Sequence, residues 1–148
     1  MWSVNKVGGN MSWLIQCSDS SCKKNTYAAN IVELLAKHRD EHDHFRCVCG
    51  KPGYIEKQFN LQEPGETWQP YLRGAISLGE SGDTYQPFAF LVSREPDGDI
   101  SSLWFCYYKD MRSLGGKLKL GHGPGGPPVL SVEQLWNLAQ NLNARGKQ

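Results

Sequence analysis

The 148-residue sequence predicts an α+β fold, and three observations carry that expectation. Apolar residues recur at helical spacing near each end of the chain, over 26–38 and again from Val132 to Leu142. Between them, from Tyr54 to Leu120, short runs of apolar–polar alternation are separated by Gly- and Pro-rich clusters. Four of the five cysteines fall in two close pairs flanking the first helical stretch. The expected architecture is an N-terminal cysteine-bearing lobe with one helix, an antiparallel meander of about four to five strands, and a C-terminal helix packed on the sheet.

Each element has its own local reason. Ser12-Trp-Leu-Ile-Gln16 is a short apolar run that suits a buried strand leading to Cys17. Thr26 to His38 reads as a helix, with Ala28, Ile31, Val32 and Leu35 on one stripe and Glu33/Lys37 as an i,i+4 ion pair. Asn25, Thr26 and Asn30 are all plausible caps for it. The polar run Lys37–His44 ends it, and Phe45-Arg-Cys-Val48 reads as a strand with Gly50, Pro52 and Gly53 turning the chain afterwards. Five period-two runs follow, at Tyr54–Phe59, Tyr71–Leu78, Tyr85–Ser93, Ile100–Tyr108 and Lys117–Leu120. Short turn-rich links (Glu63–Glu66, Gly79–Asp83, Glu95–Gly98) join them as antiparallel neighbours. Both faces of Ile100–Tyr108 are apolar, as expected of a strand covered on two sides. The last helix starts on a capping box, Ser131 with Gln134, and a Leu130/Leu135 staple. Its expected apolar face is Val132, Leu135, Trp136, Ala139 and Leu142, running to about Asn143 with Gly146 beyond.

A chain of this length buries a real core, and 39% apolar residues with five Trp mark it as folded. We expect a 1–11 extension, a lobe over 12–52, and the sheet with its helix over 53–148, packed with the lobe as one compact domain. No run approaches the roughly 18 apolar residues of a membrane span, and Met1–Lys6 lacks the apolar core of a signal peptide. The expected setting is the cytoplasm. Net charge is +1 but unevenly spread, with eight Lys/Arg against six Asp/Glu in 1–60, two against seven in 61–108, and six against two in 109–148. An acidic middle and a basic end imply separate surfaces.

Cys17-Ser-Asp-Ser-Ser-Cys22 and Cys47-Val-Cys49 each place two thiols beside one turn. Four thiolates from two turns bind one Zn²⁺ tetrahedrally, at Zn–S distances of about 2.3 Å. An odd cysteine number without an export signal favours metal over disulfides, and a Cys47–Cys49 bridge would close a small, strained ring. The arrangement resembles a zinc ribbon or treble clef over residues 12–59. It departs from the usual two-residue spacing, having four residues between one pair and one between the other. That resemblance implies a zinc-knuckle lobe with Cys17, Cys22, Cys47 and Cys49 as ligands and a structural ion with no open position. Lys23, Lys24, Arg46 and Lys51 would offset the charge of such a site, and His44 is placed to substitute for one cysteine.

Other motifs are weighed against it. His38-Arg-Asp-Glu41-His42 matches the H-x-x-E-H pattern of inverted zinc peptidases, with Glu41 as base, yet equally reads as a solvated turn at a helix end. Cys106, in an apolar run, reads as a core cysteine, and dyads or triads with His122 and Ser131 have no further support. Lys109, Arg112, Lys117 and Lys119 offer phosphate contacts and Tyr107 or Tyr108 a stacking ring, Tyr108 being the one taken into the expected site; the alternative is a sheet edge kept soluble by lysines. Trp68 is either a recognition aromatic or a lid on the core. The leading expectation is a zinc-stabilised, non-enzymatic binding module for nucleic acid or a protein partner, with no small-molecule cofactor. The alternative is a small metal-dependent hydrolase using His38, Glu41 and His42, or His122.

Overall fold

The computed structural model describes residues 12–56, 59–60, 67–68, 70–80, 82–121 and 131–145. In chain order the elements are β1 (Trp13–Cys17), β2 (Thr26–Ala28), α1 (Ile31–Lys37), β3 (Gly53–Glu56), β4 (Phe59–Asn60), β5 (Thr67–Trp68), β6 (Tyr71–Ser77), β7 (Tyr85–Ser93), β8 (Ile100–Asp110), a 3-10 turn at Arg112–Leu114, β9 (Leu118–Gly121) and α2 (Val132–Arg145). The expectations on residues 1–11, the Glu63–Glu66 turn, Leu130, His122 and Gly146 lie outside the described residues, as does the Trp68 side chain.

The class is α+β, and the main sheet is antiparallel with the order β2-β1-β3-β6-β7-β8-β9. It has seven strands, not the four or five expected, because β1 and β2 join it through β3 instead of standing apart. Cys17 pairs with Gly53 and Gln16 with Tyr54 at that junction. β4 and β5 pair only with each other.

Two local expectations are overturned around the first helix. Thr26–Ala28 is a strand, not helix: Thr26 and Ala28 are buried, Tyr27 is exposed, and the register Trp13↔Ala28, Ile15↔Thr26 supplies backbone partners. The helix begins only at Ile31, on Asn30, whose Oδ1 accepts from the Glu33 N–H at 2.9 Å. The Glu33 carboxylate in turn accepts from the Ala29 N–H at 2.5 Å, and Lys37 lies 3.9 Å from it. Phe45–Val48 is likewise no strand; isolated bridges Arg39↔Phe45, His44↔Gly74 and Arg46↔Pro52 hold it.

The sheet buries a different cluster on each face. On one face Trp13, Ile15, Phe88, Phe90, Val92 and Cys106 meet Ile31, Leu34 and Leu35 of α1, with Trp104 and Tyr108 packed alongside. Phe90 is the centre of this core, its ring 5.7 Å from Trp13 and 5.6 Å from Trp104. On the other face Ile76, Leu78, Ala89 and Leu91, with Leu103 and Phe105, receive Leu138 and Leu142 of α2. β8 is thus covered on both sides. The capping box of α2 forms as expected, Gln134 N–H to Ser131 Oγ at 3.0 Å and Ser131 N–H to Gln134 Oε1 at 2.8 Å. Its expected apolar face forms only in part: Leu142 packs on the sheet, but Val132, Leu135 and Trp136 are 86%, 55% and 63% exposed, and Leu138 is the buried anchor. The helix meets the sheet along a narrow line, so only residues near Leu138 on the helical wheel are covered.

Candidate functional site

Four strands and turns bring the paired cysteines to one end of the sheet. β1 delivers Cys17 at its last position, and the Ser18 N–H donates to the Pro52 carbonyl at 3.0 Å, stitching the first knuckle to the second. Asp19 organises the first turn: its carboxylate accepts from the Ser21 N–H (2.9 Å) and hydroxyl (2.7 Å), while its carbonyl accepts from the Cys22 N–H (3.0 Å). Lys51, from the second knuckle, closes an ion pair on the same carboxylate. The ammonium of Lys51 and the hydrogen bonds from Ser21 hold the Asp19 carboxyl far below its ordinary range.

The second knuckle is a tight turn in which Gly50 N–H bonds to the Cys47 carbonyl and Cys47 N–H to the Lys51 carbonyl, both at 2.9 Å. Gly50 has φ +92, a conformation costly for any residue with a Cβ. Thr26, the first residue of β2, reaches across to this turn. Its Oγ1 accepts from the Val48 N–H at 3.0 Å and donates to Cys47 Sγ at 3.9 Å. Sequence reasoning placed Thr26 in a helix and missed this role. Its signal was the Thr-Tyr-Ala alternation beside a cysteine knuckle, which fits a strand as well as a helix.

The approach to Cys47 is set by the loop 39–46. Asp40 accepts from the His42 and His44 N–H groups (2.8 and 2.9 Å) and pairs with Arg46 at 2.6 Å. Burial opposes ionisation of Asp40, but those N–H groups and the Arg46 guanidinium outweigh it and lower the pKa. Gly74, at a bulge in β6, makes room for the loop: a Cβ there would lie 2.1 Å from the Asp43 carbonyl oxygen. Arg39 completes the anchor, donating to the carbonyls of Leu35 (2.7 Å) and Ala75 (2.6 Å) and so tying α1 to β6.

The outcome is a cluster of four sulfurs that all lie within 4.8 Å of one another. Two contacts cross between the knuckles, Cys17–Cys49 at 3.6 Å and Cys22–Cys47 at 3.8 Å. A disulfide needs about 2.05 Å. A tetrahedral ion with Zn–S bonds of about 2.3 Å sets its sulfurs about 3.8 Å apart. The quartet therefore fits a metal ion of that size, and none of the five cysteines forms a disulfide. Burial raises the Cys47 thiol, but the Cys49 N–H and the Cys49, Thr26 and Cys22 side chains overcome this and bring it down to about 7. Cys17, raised by burial and by its three neighbouring thiols, stands at about 12.

Other expected site residues fall differently. His44 is held against Gly74 and takes no part in the four-sulfur group. α1 ends at Lys37, so His38 and His42 lack the helical i,i+4 relation that H-x-x-E-H requires; His42 lies 3.6 Å from Glu41. Among the described residues the cysteine quartet is the one group of three or more potential ligands that converges. Cys106 is fully buried, and that burial pushes its thiol well up, as suits a core cysteine.

The basic stretch divides between the two faces of the sheet. Lys109 pairs directly with Lys119 across β8 and β9, and with Lys117, Met111 and Gly116 they line an open depression of about 450 Å³. Arg112 instead donates two hydrogen bonds to Asp110, at 2.8 and 2.9 Å. Tyr108 points to the opposite face, its ring 6.2 Å from Phe88. The ring on the lysine side is Tyr107, 5.2 Å from Tyr85. No family model, curated protein or solved structure matches this chain.

Proposed function

We propose that the protein is a zinc-stabilised, non-enzymatic binding module of the zinc-ribbon kind whose partner is nucleic acid. The observation that carries the first half is the sulfur quartet with its 3.6 and 3.8 Å contacts across the two knuckles. Zinc is the metal best matched to four thiolates in a closed tetrahedral set, and with four protein ligands it keeps no position for a substrate or a water. Reduced thiols at this spacing also suit a reducing compartment such as the cytoplasm. Support for nucleic acid comes from the exposed lysines of β8 and β9, none of which is in an ion pair among the described residues.

Elemental analysis of purified protein tests the metal. The expected result is one zinc per chain, lost in Cys17→Ser and in Cys47→Ser; metal retained by both variants refutes it. For the partner, affinity for nucleic acid should fall steeply as salt is added. Binding to a protein partner that ignores salt, with none to nucleic acid, would replace this reading.

A further inference from the structure

We infer that the sheet face carrying Tyr107 and Lys109, beside α2, binds single-stranded nucleic acid, with Tyr107 stacking an unpaired base and the lysines holding the adjoining phosphates. The inference rests on the nucleic-acid reading above and goes further in naming the face, the strandedness and the stacking residue.

Strand alternation fixes which side chains share this face. On β8, Leu103 and Phe105 lie beneath α2. Tyr107 and Lys109 continue the same side past the residues α2 covers, because they follow at steps of two. β7 sets Tyr85 opposite Lys109, and β9 sets Lys119 opposite Lys109 and Gly121 opposite Tyr107. Lys117 precedes Lys119 by two and shares its side, while Leu118 between them is buried in the other core.

Two features of this face are poor choices for stability alone. Lys109 and Lys119 are directly opposed, their Cβ atoms about 5 Å apart, an arrangement that repels unless an anion lies between them. Lys117 adds a third charge at the same depression. The nearest carboxylate on β8, that of Asp110, is engaged by Arg112. Gly121 is the second feature. A Cβ there would lie 2.2 Å from the Tyr107 ring, so the absence of a side chain lets that ring lie over β9, beside Lys119. An aromatic ring laid on a sheet next to cations is the arrangement on which unpaired bases stack while phosphates follow the charges. A duplex hides its base faces, so a ring placed to stack on a base matches the single strand.

Fluorescence anisotropy with a mixed-sequence 12-nucleotide single strand and a duplex of the same length tests this on the intact, zinc-loaded chain. The single strand should bind at least about tenfold more tightly, with log K falling against log salt at a slope of about −2 for three lysines. The double variant Lys109→Gln/Lys119→Gln should flatten that slope to below about −1. Tyr107→Ala should weaken binding about fivefold or more, whereas Tyr107→Phe, which keeps the ring, should stay within about twofold. Gly121→Ala, by displacing the ring and sparing every lysine, should weaken binding without changing the slope. Duplex binding as tight as the single strand, or affinity indifferent to Tyr107→Ala and Gly121→Ala in folded protein, overturns the inference and leaves the nucleic-acid reading standing. No binding to either form overturns both.

Discussion

The two ends of the sheet are held by different means. At the β2–β1–β3 end, chain segments more than twenty residues apart are joined by sulfur contacts and short polar bonds: Cys17 to Cys49, Thr26 to Val48, Lys51 to Asp19. Arg46 is committed to Asp40 there, and α1, only seven residues long, buries Ile31, Leu34 and Leu35. From β6 to β9 the connections are local, and α2, packed across β6, β7 and β8, has twice the length of α1 with a complete capping box. Yet Val132, Leu135 and Trp136 stay exposed and three lysines face solvent together. A strong local helix signal thus states that a helix forms, not how much of it docks. A helix as short as α1 is marginal alone and exists here because its whole apolar face is taken up by the core.

The comparison breaks first on the metal. If the proposed metal occupies the cysteine quartet, removing it with a strong chelator should cost several kcal/mol and expose the amides of residues 12–56 to hydrogen exchange, while β7 and β8 stay protected. Uniform loss of protection over all strands would show that the two ends are one cooperative unit. A second contrast sets the helices against each other. Leu34→Ala should destabilise by about 2–5 kcal/mol in denaturant unfolding. Trp136→Ala should cost less than about 0.5 kcal/mol, and a larger cost would mean that its ring is covered in solution.

Asp40 sharpens the account of the knuckle end. Its folded-state pKa is lowered, so the stabilisation it gives is complete above its unfolded value of about 3.9 and is lost as pH falls through the folded value. Asp40→Asn should therefore cost about 1.5–3 kcal/mol at neutral pH and remove part of the acid dependence below about pH 4. Equal acid sensitivity of variant and parent would show the carboxylate is not engaged. A modest effect belongs to the other end. Ser131→Ala should cost about 1 kcal/mol and appear as faster exchange in the first turn of α2 alone.

Much of the site was legible in the chain, and the misses share one cause. The cysteine spacing marks two knuckles because ligands beside a turn are close in sequence, and the Ser131/Gln134 box is likewise local. Thr26–Ala28 misled because an apolar residue at 28 satisfies a helical stripe and a strand alternation equally, and pairing with β1 decided between them. Tyr108 and Tyr107 are adjacent in sequence, and only the register against β7 and β9 determined which ring joins the lysines.

The sequence by itself determined an α+β chain, a meander of antiparallel strands, a capped C-terminal helix and two cysteine turns able to hold a metal. Those follow from periodicity, turn residues and ligand chemistry, which act over a few residues. The tertiary structure alone decided that the cysteine turns sit on the same sheet as the meander, and that α2 docks through Leu138. It also decided which faces Lys109 and Tyr107 share. These depend on strand register and on competition for buried area among segments far apart in the chain, and no local pattern encodes the result.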